Sequence, residues 1–148
     1  MISVQQEDFD VAALYQALLV ANKTGAVAMF VGLVREFADL PPEQCTFELE
    51  HYPGMTEHNL QSIVDEARSR WGLQEVRVIH RVGRLSVNDQ IVFVGVSSSH
   101  RAEAFEACDF IMDYLKSRAA FWKKETQGGQ SQWVEANEKD KTRLERWT

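Results

Sequence analysis

The stretch Asp109–Glu125, DFIMDYLKSRAAFWKKE, opens like a buried helix and ends with Lys116, Arg118, Lys123 and Lys124 close together, beside Tyr114, Phe121 and Trp122. The chain as a whole is acidic, with a net charge of −6. Lys116 and Arg118 fall in the last helical turn, where cations suit the negative end of the helix dipole. That explanation does not reach Lys123 and Lys124, which fall on a following strand. Side chains alternate there, so the two lysines point to opposite faces. Phe121 shares a face with Lys123, and Trp122 shares one with Lys124. Lys123 is read as the inward one, because it can then meet Lys116 across the helix–strand turn. Two ammonium groups brought together depress each other's pKa, and partial burial adds to that. A lysine moved toward neutrality can serve as acid, base or nucleophile, whereas one that stays charged grips an anion. Spacing leaves both roles open.

A second cationic pair lies in SSSHRAEAFEA, Ser97–Ala107. Ser98 or Ser99 is a natural helix cap, which puts His100 and Arg101 in the first turn. Cations there oppose the dipole. A bound anion would remove the conflict, since free backbone N–H groups and both side chains would face it. Solvation, or pairing with Glu103 or Glu106, would remove it equally well. Arg35, at the end of the strand that carries Phe30, reads by itself as an ordinary strand-end charge. Arg77 and Arg81 alternate with apolar Val76, Val78 and Val82, which reads as a solvated sheet face. His51, His58 and His80 have no metal-ligand spacing, so no metal is assigned. The serines lack a GxSxG context, and neither GxGxxG nor GxxxxGK[ST] occurs; no nucleotide cofactor is indicated.

These groups need a scaffold. At 148 residues the chain is read as one domain, 1–148, with 45% hydrophobic residues and a proper core. Residues 2–5 suit a short strand. A first helix runs from an Asp8 or Asp10 cap to about Asn22. Gly25–Arg35 is too apolar and β-branched for a surface helix and reads as a strand, with a bulge or close approach at Gly32. In TFELEHY, Thr46–Tyr52, Phe47 and Leu49 face one side and Glu48 and Glu50 the other. Thr56 caps a second helix through Trp71, with Met55 and Leu60 as a hydrophobic staple. Its buried stripe is Leu60, Ile63, Val64, Ala67 and Trp71. Strands follow at Val76–Val82 and Gln90–Ser97, joined by a turn containing Gly83, Asn88 and Asp89. A third helix spans about Ser99 to Arg118. Then comes a hairpin, Phe121–Thr126 and Gln132–Ala136, around Gly128-Gly129, and a short closing helix. Several strand pairs are joined by short turns, so the fold class is α+β with a mainly antiparallel sheet and helices packed on it.

The acidic balance argues against nucleic-acid binding. No apolar run approaches the roughly 20 residues of a membrane span. No signal peptide is visible, and Cys45 and Cys108 form no CxxC; both read as small apolar residues in a reducing compartment, the cytoplasm.

Four motifs in order, LEHYPGMTE (Leu49–Glu57), VIHRVGRL (Val78–Leu85), IVFVGVSSSHRAEAFEA (Ile91–Ala107) and FIMDYLKSRAAFWKKE (Phe110–Glu125), closely resemble the large, catalytic subunit of molybdopterin synthase. The likeness runs from about Gly25 to Ala136. It implies that family's hammerhead-like fold and a sulfur transfer in molybdenum-cofactor synthesis. The implied substrate is cyclic pyranopterin monophosphate. Sulfur would arrive as a thiocarboxylate on the C-terminal Gly-Gly tail of a small ubiquitin-like partner subunit. The family assembles as a heterotetramer around a homodimer of large subunits. Its functional lysines fall on Lys116, where the tail ends, and Lys123, beside the substrate. Arg35, His100 and Arg101 match positions that bind the substrate's anionic group, in a pocket shared across the dimer. Phe30, Met112 and Glu125 match pocket-lining positions. The chain departs from the family at Asn88, where glycine is common, at Asn137, where arginine is common, and at Ala120, where proline is common. A non-enzymatic anion-binding or adaptor module on the same fold is the competing reading. It would keep the His100–Arg101 helix start and have no use for a tail channel.

Overall fold

The computed structural model describes residues 1–36, 39–134 and 138–148. Its strands form two sheets. The first contains β1 (Ile2–Gln5), β4 (Leu73–Arg81), β6 (Gln90–Ser98) and β2 (Ala26–Leu33), in the spatial order β1-β4-β6-β2. Only β1 and β4 run parallel; the other pairs are antiparallel. The second contains β5 (Gly83–Ser86), β3 (Cys45–His51), β7 (Phe121–Gln127) and β8 (Gln130–Val134), antiparallel throughout and in the order β5-β3-β7-β8. The helices are α1 (Val11–Leu18), α2 (Met55–Arg70), α3 (Arg101–Arg118) and α4 (Glu138–Leu144).

The first sheet is covered on both faces, which is why β6 is a continuous apolar run. Val92, Val94 and Val96 pack with α2 and α3 through Leu60, Ile63, Phe110 and Ile111. Phe93, one residue out of step, joins Ile79 and Leu18 of α1 on the opposite face. Each fully buried aromatic or branched side chain contributes roughly 1.5–3 kcal/mol. On the second sheet, Phe47 and Leu49 pack with Val34, Val82 and Leu85, while Glu48 and Glu50 are exposed. This is the alternation expected of TFELEHY.

Local backbone chemistry explains where the elements differ from expectation. The first helix stops at Leu18, and Asn22 adopts a left-handed φ of 67°. Gly54, not Thr56, is the N-cap of α2, and Glu57 accepts from its backbone N–H. Met55 is half exposed and forms no staple. A strand absent from the sequence reading, β5, fills part of the connection between β4 and β6. Gly83, with φ +87°, lets the chain leave the first sheet and enter the second within two residues. Gly32 marks the register shift in β2, and a Cβ there would lie 2.7 Å from a Val92 methyl. Asn88, in the turn before β6, takes a left-handed conformation, φ 78°. The hairpin closes earlier than expected, with β8 beginning at Gln130. The expected strand end at Ala136, and the departure at Asn137, lie outside the described residues.

Candidate functional site

Helix α3 ends at Arg118, and Ala119 turns to extended backbone. Phe121 opens β7, so a short turn separates Lys116 from Lys123. That turn is held from α2. The Thr56 hydroxyl donates to the Ala120 carbonyl at 2.8 Å, and the Asn59 amide donates to the Arg118 carbonyl at 3.1 Å. Arg118 also forks onto the Glu66 carboxylate at 3.1 and 3.3 Å. The turn at Ala120 is therefore fixed by tertiary anchors.

Lys123 lies opposite Leu49 of β3, with its ammonium 5.7 Å from the centre of the Phe47 ring. Lys124 points to the other face and sits 5.8 Å from the centre of the Trp133 ring. Lys116 keeps accessible surface, yet protein atoms crowd its amine. That burial, and then the charge of Lys123, hold its pKa below the ordinary lysine value; Asp140 pulls the other way. The structure thus brings the two lysines into each other's field. Glu125 follows two residues after Lys123, on the same face of β7, and lies opposite Phe47.

A groove of about 560 Å³ runs along α3, and Phe30, Phe105, Met112 and Lys116 line it. On α3 the lining follows helical spacing, with Phe105, Cys108, Met112 and Lys116 along one stripe. Asp109, Asp113, Asp140 and Arg143 add charge to the same walls. Arg35 follows β2 at the end where Val34 packs against Phe47 and Leu49. Of the expected site residues, Phe30, Met112 and Lys116 line this groove, while Lys123 and Glu125 lie on β7, an inner strand of the second sheet, and Arg35 follows β2.

His100 and Arg101 are not part of that group. His100 is the N-cap of α3 and Arg101 its first residue, both exposed. Fifteen residues of helix separate Arg101 from Lys116, about 22 Å at 1.5 Å per residue. The expected serine cap is absent: Ser98 is buried, and its single hydroxyl proton lies between two acceptors, the Gly72 carbonyl at 2.8 Å and the Glu103 carboxylate at 3.0 Å. Glu106 accepts from the Trp71 indole. Both candidate partners are engaged elsewhere, and among the described residues neither His100 nor Arg101 has an ion pair.

Sequence reasoning missed His80. The run Arg77–Arg84 reads as a solvated face, yet His80 is 6% exposed. Its ring stacks on Phe121, with centroids 3.9 Å apart and planes at 22°. Burial lowers its pKa to about 4; the hydrogen bond to the Arg81 carbonyl is the next largest effect and opposes it, and the charges of Lys116, Lys123 and His51 lower it further. The signal was in the alternation. Val76, Val78 and Val82 are all buried, and His80 occupies the same row. Arg77 and Arg81 are half-buried, and Arg81 donates to the carbonyls of Gln6 and Gln90.

The family model described as MoaE protein matches residues 4–118, more than half of the chain. The molybdopterin synthase catalytic subunit of Vibrio cholerae is 53% identical over 99% of this chain and 97% of its own length. The MoaE protein of Burkholderia ambifaria superposes with a TM-score of 0.83 at 50% identity, covering 99% of this chain and 96% of that one. Molybdopterin synthase from Staphylococcus aureus gives 0.79 at 30% identity, covering 89% and 95%.

Proposed function

The chain belongs to the MoaE family of molybdopterin synthase catalytic subunits, and from that premise we propose that Lys116 and Lys123 form the sulfur-transfer centre. In this reading the substrate is cyclic pyranopterin monophosphate, and the product is molybdopterin. The sulfur comes from the C-terminal thiocarboxylate of a small ubiquitin-like partner subunit. The reaction takes place in the cytoplasm, in a single domain that spans residues 1–148. No helix among the described residues is long and apolar enough to cross a membrane.

The observation that carries the reading is that Lys116 lies within the electrostatic reach of Lys123 across a turn anchored by Thr56 and Asn59. A thiocarboxylate is already a good sulfur nucleophile, so the protein has to position it and stabilise developing charge. Lys116 sits in an open groove beside Phe30 and Met112, which supports its role at the end of the partner's tail. A tail ending in Gly-Gly has no side chains there and fits a narrow channel. Lys123, against Phe47 and on the same face as Glu125, suits the substrate side. Arg35 and the His100–Arg101 pair bind the substrate's anionic group. The 22 Å along α3 supports a pocket completed by a second copy, whose His100 and Arg101 would reach the first copy's lysines. The assembly is then a homodimer core with a small subunit at each end. An adaptor would have no use for a lysine whose pKa is lowered by crowding and by a second lysine.

The test is dithiolene formation with thiocarboxylated partner. Lys116→Ala and Lys123→Ala are each expected to abolish it while melting like the parent chain. Full activity in either variant refutes the role given to that lysine.

A further inference from the structure

We propose that His80 is a positioning residue for the lysine pair: stacked against Phe121 where the two sheets meet, its imidazole sets where β7 begins and so how closely Lys123 approaches Lys116. The inference rests on the reading that the two lysines act together, and its test does not depend on sulfur transfer.

The two stacked rings belong to different sheets. His80 is on β4, an inner strand, and is paired with Val4 of β1 on one side and Val92 of β6 on the other. Its backbone is therefore locked from both edges. Its Nδ1 lies 2.9 Å from the Arg81 carbonyl oxygen. A carbonyl only accepts, so Nδ1 carries the proton, and the bond sets the plane of the ring. Phe121 is the first residue of β7, paired with His51 of β3. The turn between the lysines is thus tied at consecutive residues: Ala120 by its carbonyl to α2, and Phe121 by its ring to β4. Phe121 and Lys123 share a face of β7, so a shift or rotation of Phe121 carries the Lys123 amine with it.

A histidine suits this place for a second reason. The groups that face it are Lys116 from α3, Lys123 from β7 and His51 from β3. In that company the ring stays neutral near pH 7 and adds no third positive charge to the lysine pair. It has the flat surface of an aromatic ring and a nitrogen tether that phenylalanine lacks.

The experiment is an NMR titration of the Lys116 amine in full-length chain with labelled lysine side chains. His80→Ala is expected to raise the Lys116 midpoint by about half a pH unit or more, because Lys123 is freed to move away. His80→Phe, which keeps a ring against Phe121, is expected to restore most of the parent value. In a Lys123→Ala background, His80→Ala is expected to leave the Lys116 midpoint where that background puts it. The proposal is overturned if His80→Ala leaves the midpoint unchanged in a folded chain. It is equally overturned if His80→Phe shifts the midpoint as far as alanine does, or if the shift persists without Lys123, since hydration of the vacated space would then be the cause. Should His80→Ala not fold, Phe121→Leu removes the stack from the other side. It must raise the midpoint in the same direction, and a parental value there overturns the proposal.

Discussion

The Thr56 hydroxyl donates to the Ala120 carbonyl across 2.8 Å, joining the first turn of α2 to the turn between the two lysines. Thr56 is fully buried, and its oxygen also accepts from the Tyr52 N–H at 2.9 Å. Two segments distant in sequence therefore share one oxygen atom. A threonine here reads from sequence as a helix cap, but a glycine with positive φ takes that position and frees the hydroxyl for the turn.

Thr56→Val keeps the shape and removes both bonds, leaving the Tyr52 N–H and the Ala120 carbonyl without this partner. The expected loss is about 1–3 kcal/mol in urea denaturation, with a slower single-turnover rate. Thr56→Ser should recover most of both. A valine variant within about 0.5 kcal/mol of the parent, turning over at the parental rate, would show that the turn does not depend on this clamp.

Lys116→Arg separates two roles that spacing left open. Arginine keeps the positive charge and cannot shed a proton at accessible pH. Lys116 has its pKa lowered by burial and by Lys123, so a neutral amine is more accessible to it than to an ordinary lysine. If proton transfer is its task, the single-turnover rate of Lys116→Arg should fall by about 10²–10⁴ while partner binding persists. We expect that fall. A rate close to the parent's would show that Lys116 acts as a fixed charge alone.

Much of this arrangement was legible in the sequence, because period-two alternation is a local signal. TFELEHY showed which side chains face inward, whereas FWKKE showed only that Lys123 and Lys124 face opposite sides, and the choice of Lys123 rested on its reach to Lys116. The same rule applied to Val76–Val82 would have found His80, but Arg77 and Arg81 drew the reading toward solvent. What alternation cannot show is the partner across the gap. The Phe121 stack and the pairing of β5 with β3 join residues far apart in sequence, and β5 has only four residues. Strands that short are identified by what they pair with. The distance between His100–Arg101 and Lys116 was also readable, since both lie on one helix of known rise. It directs attention to a second copy of the chain.

His80 should make the fold acid-sensitive in a defined window. Its pKa falls from 6.5 to about 4 on folding, so between those values the unfolded chain binds a proton that the folded chain refuses. Above pH 6.5 both states are neutral at this group and nothing is lost. As pH falls from 6.5 to 4 stability declines, by roughly 3 kcal/mol at 1.36 kcal/mol per pH unit, and below 4 this contribution levels off. His80→Phe removes the titrating group. Its denaturation free energy should be flatter than the parent's over that window, whatever its absolute value. Parallel curves for the two chains would contradict the buried, neutral state of the imidazole.

The closing helix is held to α3 by charges of unequal value. Arg143 bonds Asp113 at 2.8 Å and Asp109 at 2.7 Å, and Arg146 bonds Asp109 at 2.9 Å. Asp113 is 5% exposed and is also bonded by the Trp147 indole at 2.7 Å. Asp109 is near the surface, where ion pairs contribute about 0–1 kcal/mol. Arg143→Ala leaves a buried carboxylate short of a charged partner, so about 1–3 kcal/mol should be lost. Arg146→Ala should lose less than about 1 kcal/mol, because water replaces it at Asp109. The comparison is sharper than either value alone. Both arginines are similarly exposed and both bond Asp109; they differ in that Arg143 bonds the buried Asp113 at 2.8 Å, whereas Arg146 comes only to 3.9 Å from it. Equal losses in thermal and urea unfolding would mean that burial of Asp113 does not set the strength of this attachment. The larger loss at Arg143 would place the anchor of the closing helix on the wall of the groove that Lys116 lines.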